Sequence, residues 1–482
     1  MLKRIANLPT AVQHSLIYAS AIALSKGLAL IMVPVSTHFL TPEDYGRLDV
    51  LQTLADLLSI VIGMGLAETL FRFAGSADNE IEKRKASANI FGMAICLGTL
   101  ALILGQLFAG PISRLLPGDI AELDTRLILA SLSMVGTILI PLAWLRMSGM
   151  AWSYLIGTAG RVALQVAIAV PLLFMGFGVT GVLCATLASA ILLCSWLIWK
   201  QLKDTGINFE FSRFKTYSIY GGPLIFVGIS GFVLGSFDRW ILADAVGTAE
   251  MAQYALAAKF GLITAVLIQP FDLWWHARRF SCLKEDDGKT RCAKIGSLGV
   301  VIAISAALFI AAAGPTMVRL LTPSTYHDSI AFIPWLAALA AVHNMTSTLA
   351  FGAMSENTTV RPAMIDGAAA IIALIAYLTL IPIFHAWGAI AATCLALGSR
   401  LAATYWVSQR SLKLPYQLRR LLFTGAAGVL CISLISSAPL SWLVLLQNCG
   451  IIVGFIATAT AVGLIPIPNK VLSMTTQLLN RS

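Results

Sequence analysis

Charge is scarce in this chain. Only 12% of its 482 residues are Asp, Glu, Lys or Arg, against 58% hydrophobic residues and a mean hydropathy of +0.83. Soluble chains carry about 25% charged residues, and half that charge cannot cover several water-exposed domains. Long polar loops are missing as well, so no extramembrane domain is expected. The eight cysteines show no metal-site spacing. Cys96, Cys184, Cys194, Cys394, Cys431 and Cys449 sit inside apolar runs, and Cys282 and Cys292 share a short basic loop. They read as packing residues, with neither an outer-side disulfide nor a metal cofactor implied. Walker sequences, nucleophile motifs and paired metal ligands are absent, and His38, His327 and His385 lie singly at run ends. An enzyme is therefore not expected. The period-2 alternation of a membrane barrel is absent too.

What remains is a series of long apolar runs. A helix rises 1.5 Å per residue, so a hydrocarbon core of about 30 Å takes about 20 residues per crossing. Runs that long or nearly so lie at 15–40, 47–73, 87–110, 125–146, 152–175, 179–199, 218–243, 253–275, 294–318, 329–352, 363–384, 386–408, 421–438 and 442–466. The expectation is an all-α polytopic membrane protein with about 14 transmembrane helices. The polar, basic stretch before the first run and the length of that run read as an uncleaved first span. With the N-terminus inside, cytoplasmic segments hold 23 of the 33 Lys and Arg, the bias that sets orientation. Both termini are then cytoplasmic. The net charge of +10 reflects this bias and attraction to anionic membrane lipids, not a nucleic-acid surface. All eleven Trp fall near span ends, as an aromatic belt requires.

The chain also repeats weakly. Arg114–Pro117 after span 3 matches Arg319–Pro323 after span 9, and Gly178–Leu183 before span 6 matches Ala386–Ile390 before span 12 at nearly the same offset. Thr41–Asp44 after span 1 corresponds loosely to Thr248–Glu250 after span 7. Two six-helix lobes follow: an N-terminal lobe at 1–199, a cytoplasmic linker at 200–217 and a C-terminal lobe at 218–408. Two extra helices and a tail occupy 409–482. A six-span unit returns the chain to its starting side, so the lobes are related by a pseudo-two-fold axis along the membrane normal. Such parallel repeats typify transporters with a site near the midplane.

Three stretches resemble a known family. Phe39-Leu40-Thr41-Pro42-Glu43-Asp44-Tyr45-Gly46-Arg47-Leu48 is similar to the FLxPxDYGxL of bacterial polysaccharide flippases. Gly65-Leu66-Ala67-Glu68-Thr69-Leu70-Phe71-Arg72-Phe73 resembles their GLxxxxxRF, and Ser236-Phe237-Asp238-Arg239-Trp240-Ile241-Leu242 their SxDRxxL. The family belongs to the multidrug/oligosaccharidyl-lipid/polysaccharide exporter superfamily. The resemblance implies a V-shaped, two-lobed transporter in the bacterial inner membrane. It would flip undecaprenyl-pyrophosphate-linked oligosaccharide by alternating access, for O-antigen, capsule or exopolysaccharide synthesis, and hand it to a polymerase and other assembly proteins. A multidrug antiporter of the same superfamily and an integral-membrane polymerase or ligase are the alternatives. Coupling to Na⁺, to H⁺ or to the membrane potential stays open, and no other cofactor is implied.

Charge at bilayer depth is costly and marks a wet cavity or a partner. At 1.5 Å per residue, Lys26 lies about 18–21 Å from the outer end of span 1, Arg161 about 15 Å from the inner end of span 5, and Arg400 about 13 Å from the inner end of span 12. Lys259 lies about 10 Å inside span 8. The acids are Asp56, about 14 Å into span 2, and Asp366, about 5–6 Å into span 11. Asp49, Gln52, Asp56, Ser59 and Gly63 step by three and four and share one helix face, which must look into protein or water. Glu68 and Arg72, four apart, are expected to pair locally. Cations outnumber acids at depth, so an anionic substrate group such as a pyrophosphate would balance Lys26, Arg161, Lys259 and Arg400. The competing reading pairs Lys26 with Asp56 and Arg400 with Asp366. It leaves Arg161 without a deep acid. Asp56 and Asp366 are candidates for ion coupling or for these pairs.

Overall fold

Backbone N–H and C=O groups in hydrocarbon have no water to bond, so each apolar run folds into a helix that satisfies them internally. The computed structural model describes residues 10–63, 65–354, 360–439 and 441–465, and all regular structure among them is helical. Both termini, with Lys3, Arg4, Lys470 and Arg481, lie outside the described residues. In chain order the helices are α1 (Thr10–Phe39), α2 (Pro42–Gly63), α3 (Leu66–Gly75), α4 (Glu80–Leu115), α5 (Glu122–Leu132), α6 (Val135–Met147), α7 (Ala151–Phe174) and α8 (Gly178–Asp204). Then come α9 (Phe211–Gly235), α10 (Asp238–Val246), α11 (Thr248–Leu283), α12 (Gly288–Leu321), a 3-10 turn (Ser324–Ala331) leading into α13 (Ile333–Leu349), α14 (Val360–Ser411), α15 (Leu418–Leu434) and α16 (Trp442–Ala461).

Eleven of these segments are long and apolar enough to cross a membrane, and the bent pair ending in α13 makes a twelfth. Two more come from particular residues. α14 is 52 residues long, about 78 Å if straight. It breaks at His385 (φ 52°, ψ −130°) and doubles back. The Tyr377 hydroxyl meets Thr393 Oγ1 at 2.9 Å across the bend, and a Cβ on Gly388 would lie 2.2 Å from the Leu380 carbonyl oxygen. α14 is thus a hairpin of two spans. α15 has 17 residues, about 25 Å. The 14 expected spans are accounted for.

Span 2 is split between α2 and α3 at Gly65, whose φ of 61° favours glycine. A Cβ there would also lie 2.6 Å from Leu224 Cδ1 on α9.

By packing, the chain divides into two compact units, Met1–Ala252 and Gln253–Ser482. In the first, α1 lies along α7, α7 along α8, and α4 against α5, α6 and α3. Its main core gathers Leu70, Ile90, Phe91, Ile140, Trp144 and Tyr217. Apolar residues of the expected linker (Ile207 and Phe214) pack onto that core. The linker itself is short, because α8 runs to Asp204 and α9 starts at Phe211. It is strapped to α4: Asn208 N–H donates to the Ala88 carbonyl (3.1 Å) and Glu210 N–H to Asn89 Oδ1 (2.9 Å). α9 and α10 pack on α2, within this first unit. In the second unit α12 and α13 pair, with α14 and α15 against α13 and a core of Val300, Ile304, Leu308, Ile432 and Phe455.

Candidate functional site

The residues of the first motif start α2. Thr41 Oγ1 accepts from Asp44 N–H (3.2 Å) and Pro42 follows it, a standard helix opening. Arg47 reaches back to Glu43 (2.8 Å) and Asp44 (3.2 Å) and donates from Nε to the Gly118 carbonyl (2.9 Å). Gly46 lies against the start of α11: a Cβ there would sit 2.1 Å from the Thr248 carbonyl oxygen. No other residue type fits that approach. The third motif closes on the same helix. Arg239 pairs with Asp49 at 3.1 Å, their side chains 12% and 1% exposed, and Trp240 Nε1 donates to the Val50 carbonyl (3.2 Å). The two motifs interlock.

One face of α7, stepping by three and four through Tyr154, Thr158, Arg161 and Gln165, meets Lys26 and Ser25 of α1 around a cavity of about 490 Å³. Two of the four expected cavity cations are therefore together. Arg161 is half-buried, and among the described residues its Nε is buried with no hydrogen-bond partner. Gln165 is fixed by its amide, which donates to Thr186 Oγ1 on α8 (2.9 Å). Gly157 lets α7 approach α6, since a Cβ there would lie 2.9 Å from Leu142 Cδ2. At the N-terminal end of the same face, the Tyr18 and Tyr154 rings meet edge to face at 5.3 Å, and the Arg146 guanidinium lies 5.9 Å from the Tyr154 ring.

The other expected site residues lie elsewhere. Asp56 is exposed and accepts from Ser236 Oγ (3.4 Å), so its face of α2 looks toward the start of α10. Lys259 is half-buried on α11 in the second unit. Arg400 and Asp366 meet there, Nε to Oδ1 at 2.7 Å, and Arg400 also touches His343. The expected Glu68–Arg72 pair does not form: both side chains are exposed, with no ion pair between them. An exposed pair of this spacing gains only about 0.2–0.5 kcal/mol, which solvation of the separate charges matches. Tyr154, Gln165 and His343 escaped the sequence reading. The spacing test applied to Asp56 would have found Tyr154 and Gln165, because they share the Arg161 face.

A family model described as "Polysaccharide biosynthesis protein" matches residues 35–331. The succinoglycan biosynthesis transport protein ExoT of Rhizobium meliloti (strain 1021) is 23% identical over 242 residues, 49% of this chain. The match spans about half of that relative, 47%. Among solved structures, the lipid II flippase MurJ in an inward closed conformation superposes with a TM-score of 0.73 at 12% identity, over 93% of this chain and 98% of the other. An inward-facing MATE multidrug resistance transporter of the MOP superfamily gives 0.57 at 15% identity, over 82% and 95%. At these identities the likeness is one of fold, and it covers nearly the whole molecule.

Proposed function

The chain belongs to the polysaccharide biosynthesis protein family, and on that premise we propose that it flips undecaprenyl-pyrophosphate-linked oligosaccharide across the bacterial inner membrane. Its multi-pass helical architecture is the transporter fold of the MOP superfamily. The observation that carries the substrate is the cavity between α1 and α7. It presents Lys26 and Arg161, with hydroxyl and amide donors and no carboxylate among its described lining residues. A cavity of that chemistry receives an anion, not an organic cation. Arg161 suits phosphate oxygens because its planar guanidinium donates two parallel hydrogen bonds. In this reading the termini are cytoplasmic, the sequence halves 1–199 and 218–408 act as lobes, and the α2–α10–α11 interlock is the outer gate. Polymerising enzymes of the outer face receive the product.

Complementation of a deletion strain, normalised for membrane level, tests the assignment. Arg161→Ala removes a cation with a buried Nε, so the protein level should hold. Net loss of one charge-assisted hydrogen bond should weaken pyrophosphate binding roughly 10- to 150-fold. Arg161→Lys keeps the charge without the fork and should restore part of the function. Full complementation by Arg161→Ala would remove this residue from substrate binding.

A further inference from the structure

The second unit holds a charged cluster that the cavity does not use. Arg400, on the second arm of the α14 hairpin, donates from Nε to Asp366 Oδ1 on the first arm at 2.7 Å. Its Nη1 lies 3.3 Å from Nδ1 of His343 on α13. A guanidinium carries only donors, so the lone pair at this contact belongs to Nδ1. The imidazole is therefore neutral, with its proton on Nε2. It stands about 15 Å along α13 from Ile333, at bilayer depth, and is exposed.

The other elements against α13 bring little charge to this level. α12 has no ionisable side chain between Lys294 and Arg319, and α15 offers Arg419 and Arg420 at its start and Cys431 near its end. α11 touches α13 where Gly261 meets Leu336, which places Lys259 toward one end of α13 and Asp272 and His276 toward the other. The 3-10 turn carries Tyr326, His327 and Asp328 beyond the start of α13. Among the described residues, Arg400 meets the His343 ring and Asp366 meets Arg400, so these are the charges placed beside it.

We propose that His343 is a proton-binding site through which the transport cycle is coupled to a proton gradient. A proton from the acidic side takes the Nδ1 lone pair. The acceptor becomes a donor facing a donor, and a second positive charge stands against Arg400. The His343–Arg400 contact must open, while the Arg400–Asp366 bond stays. The polar tie between α13 and the second arm of the hairpin is thereby broken, and it reforms when the proton leaves to the other side. The cluster gains one charge and loses it again, so each cycle moves one proton. The coupling rests on the flippase reading above; the proton site does not.

Two measurements on the full chain separate them. In lipid nanodiscs without substrate, ¹⁵N-histidine NMR identifies the His343 ring as the signal missing from His343→Gln. It should show the Nε2–H tautomer at neutral pH and become doubly protonated on acidification, with helix content unchanged. In proteoliposomes, flux of lipid-linked oligosaccharide extracted from a polysaccharide-producing strain is read with and without an imposed pH gradient. Gln can accept from Arg400 but cannot bind a proton. The gradient should speed the wild type several-fold and leave His343→Gln at its gradient-free rate. A wild-type gradient response in His343→Gln, or a ring that stays neutral until the protein unfolds, overturns the proposal. If the ring titrates but the wild type moves no lipid-linked sugar, the flippase reading and the coupling fall and the proton site stands.

Discussion

Asp49 and Arg239 form a nearly buried ion pair, and such a pair is costly to break because a charge is stranded in low dielectric. Asp49→Ala or Arg239→Ala should destabilise the protein by about 3–5 kcal/mol, whereas the double replacement should recover part of that loss. Melting of the purified protein in detergent reads both, and equal losses in all three variants would show that the pair does not act as a unit. This pair also shows where residue-level reading stops. Height along a helix axis follows from counting residues, and it puts both Lys26 and Arg161 deep in their spans. Which residues face each other depends on helix rotation and on neighbours distant in sequence. Asp49 falls on the polar face of span 2 and Arg239 in the third motif, yet nothing in either stretch names the other. Arg400 and Asp366 differ by several ångströms in counted depth and still meet, because a guanidinium on a long stem spans the difference.

At the scale of elements, periodicity and length identified the spans, but not their irregularities. The break at Gly65 and the reversal at His385 are set by single backbone angles inside apolar sequence. The linker at 200–217 reads from sequence as a basic connection between the lobes, with no sign that 205–210 is strapped to α4. The strap depends on Gly92, where a Cβ would lie 2.1 Å from the Asn208 carbonyl oxygen. Gly92→Val should lift the strap, so that chymotrypsin applied to the purified protein cuts after Phe209 or Phe211 faster than in wild type. Gly222→Ala, at a position with open space around it, is the control. Equal cleavage in both variants would mean that Asn208 and Glu210 do not hold the segment.

At the scale of the molecule, the order of three motifs was legible in the sequence, and the structure supplies the reason two of them belong together. Phe39–Leu48 and Ser236–Leu242 are far apart in the chain and close on the same stretch of α2, beside the start of α11. The proposed alternating access needs gate ends that part during the cycle, and this interlock includes polar contacts that water can replace on opening: the Asp49–Arg239 pair, the Trp240 indole hydrogen bond and the Ser236–Asp56 hydrogen bond, beside a glycine notch. Glu43 and Ala249 are exposed on either side of the notch. With the eight native cysteines replaced, Glu43→Cys and Ala249→Cys can be joined by a short, cleavable bismaleimide. Joining them should stop flux of lipid-linked oligosaccharide in proteoliposomes, and cleaving the linker should restore it, while each single variant transports as the cysteine-free protein does. The cavity between α1 and α7, proposed as the substrate site, is untouched by the linker, so binding of the lipid-linked sugar should persist in the locked protein. Transport at the unlinked rate with cross-linking complete would mean that the interlock is a permanent joint and that the outer opening lies elsewhere.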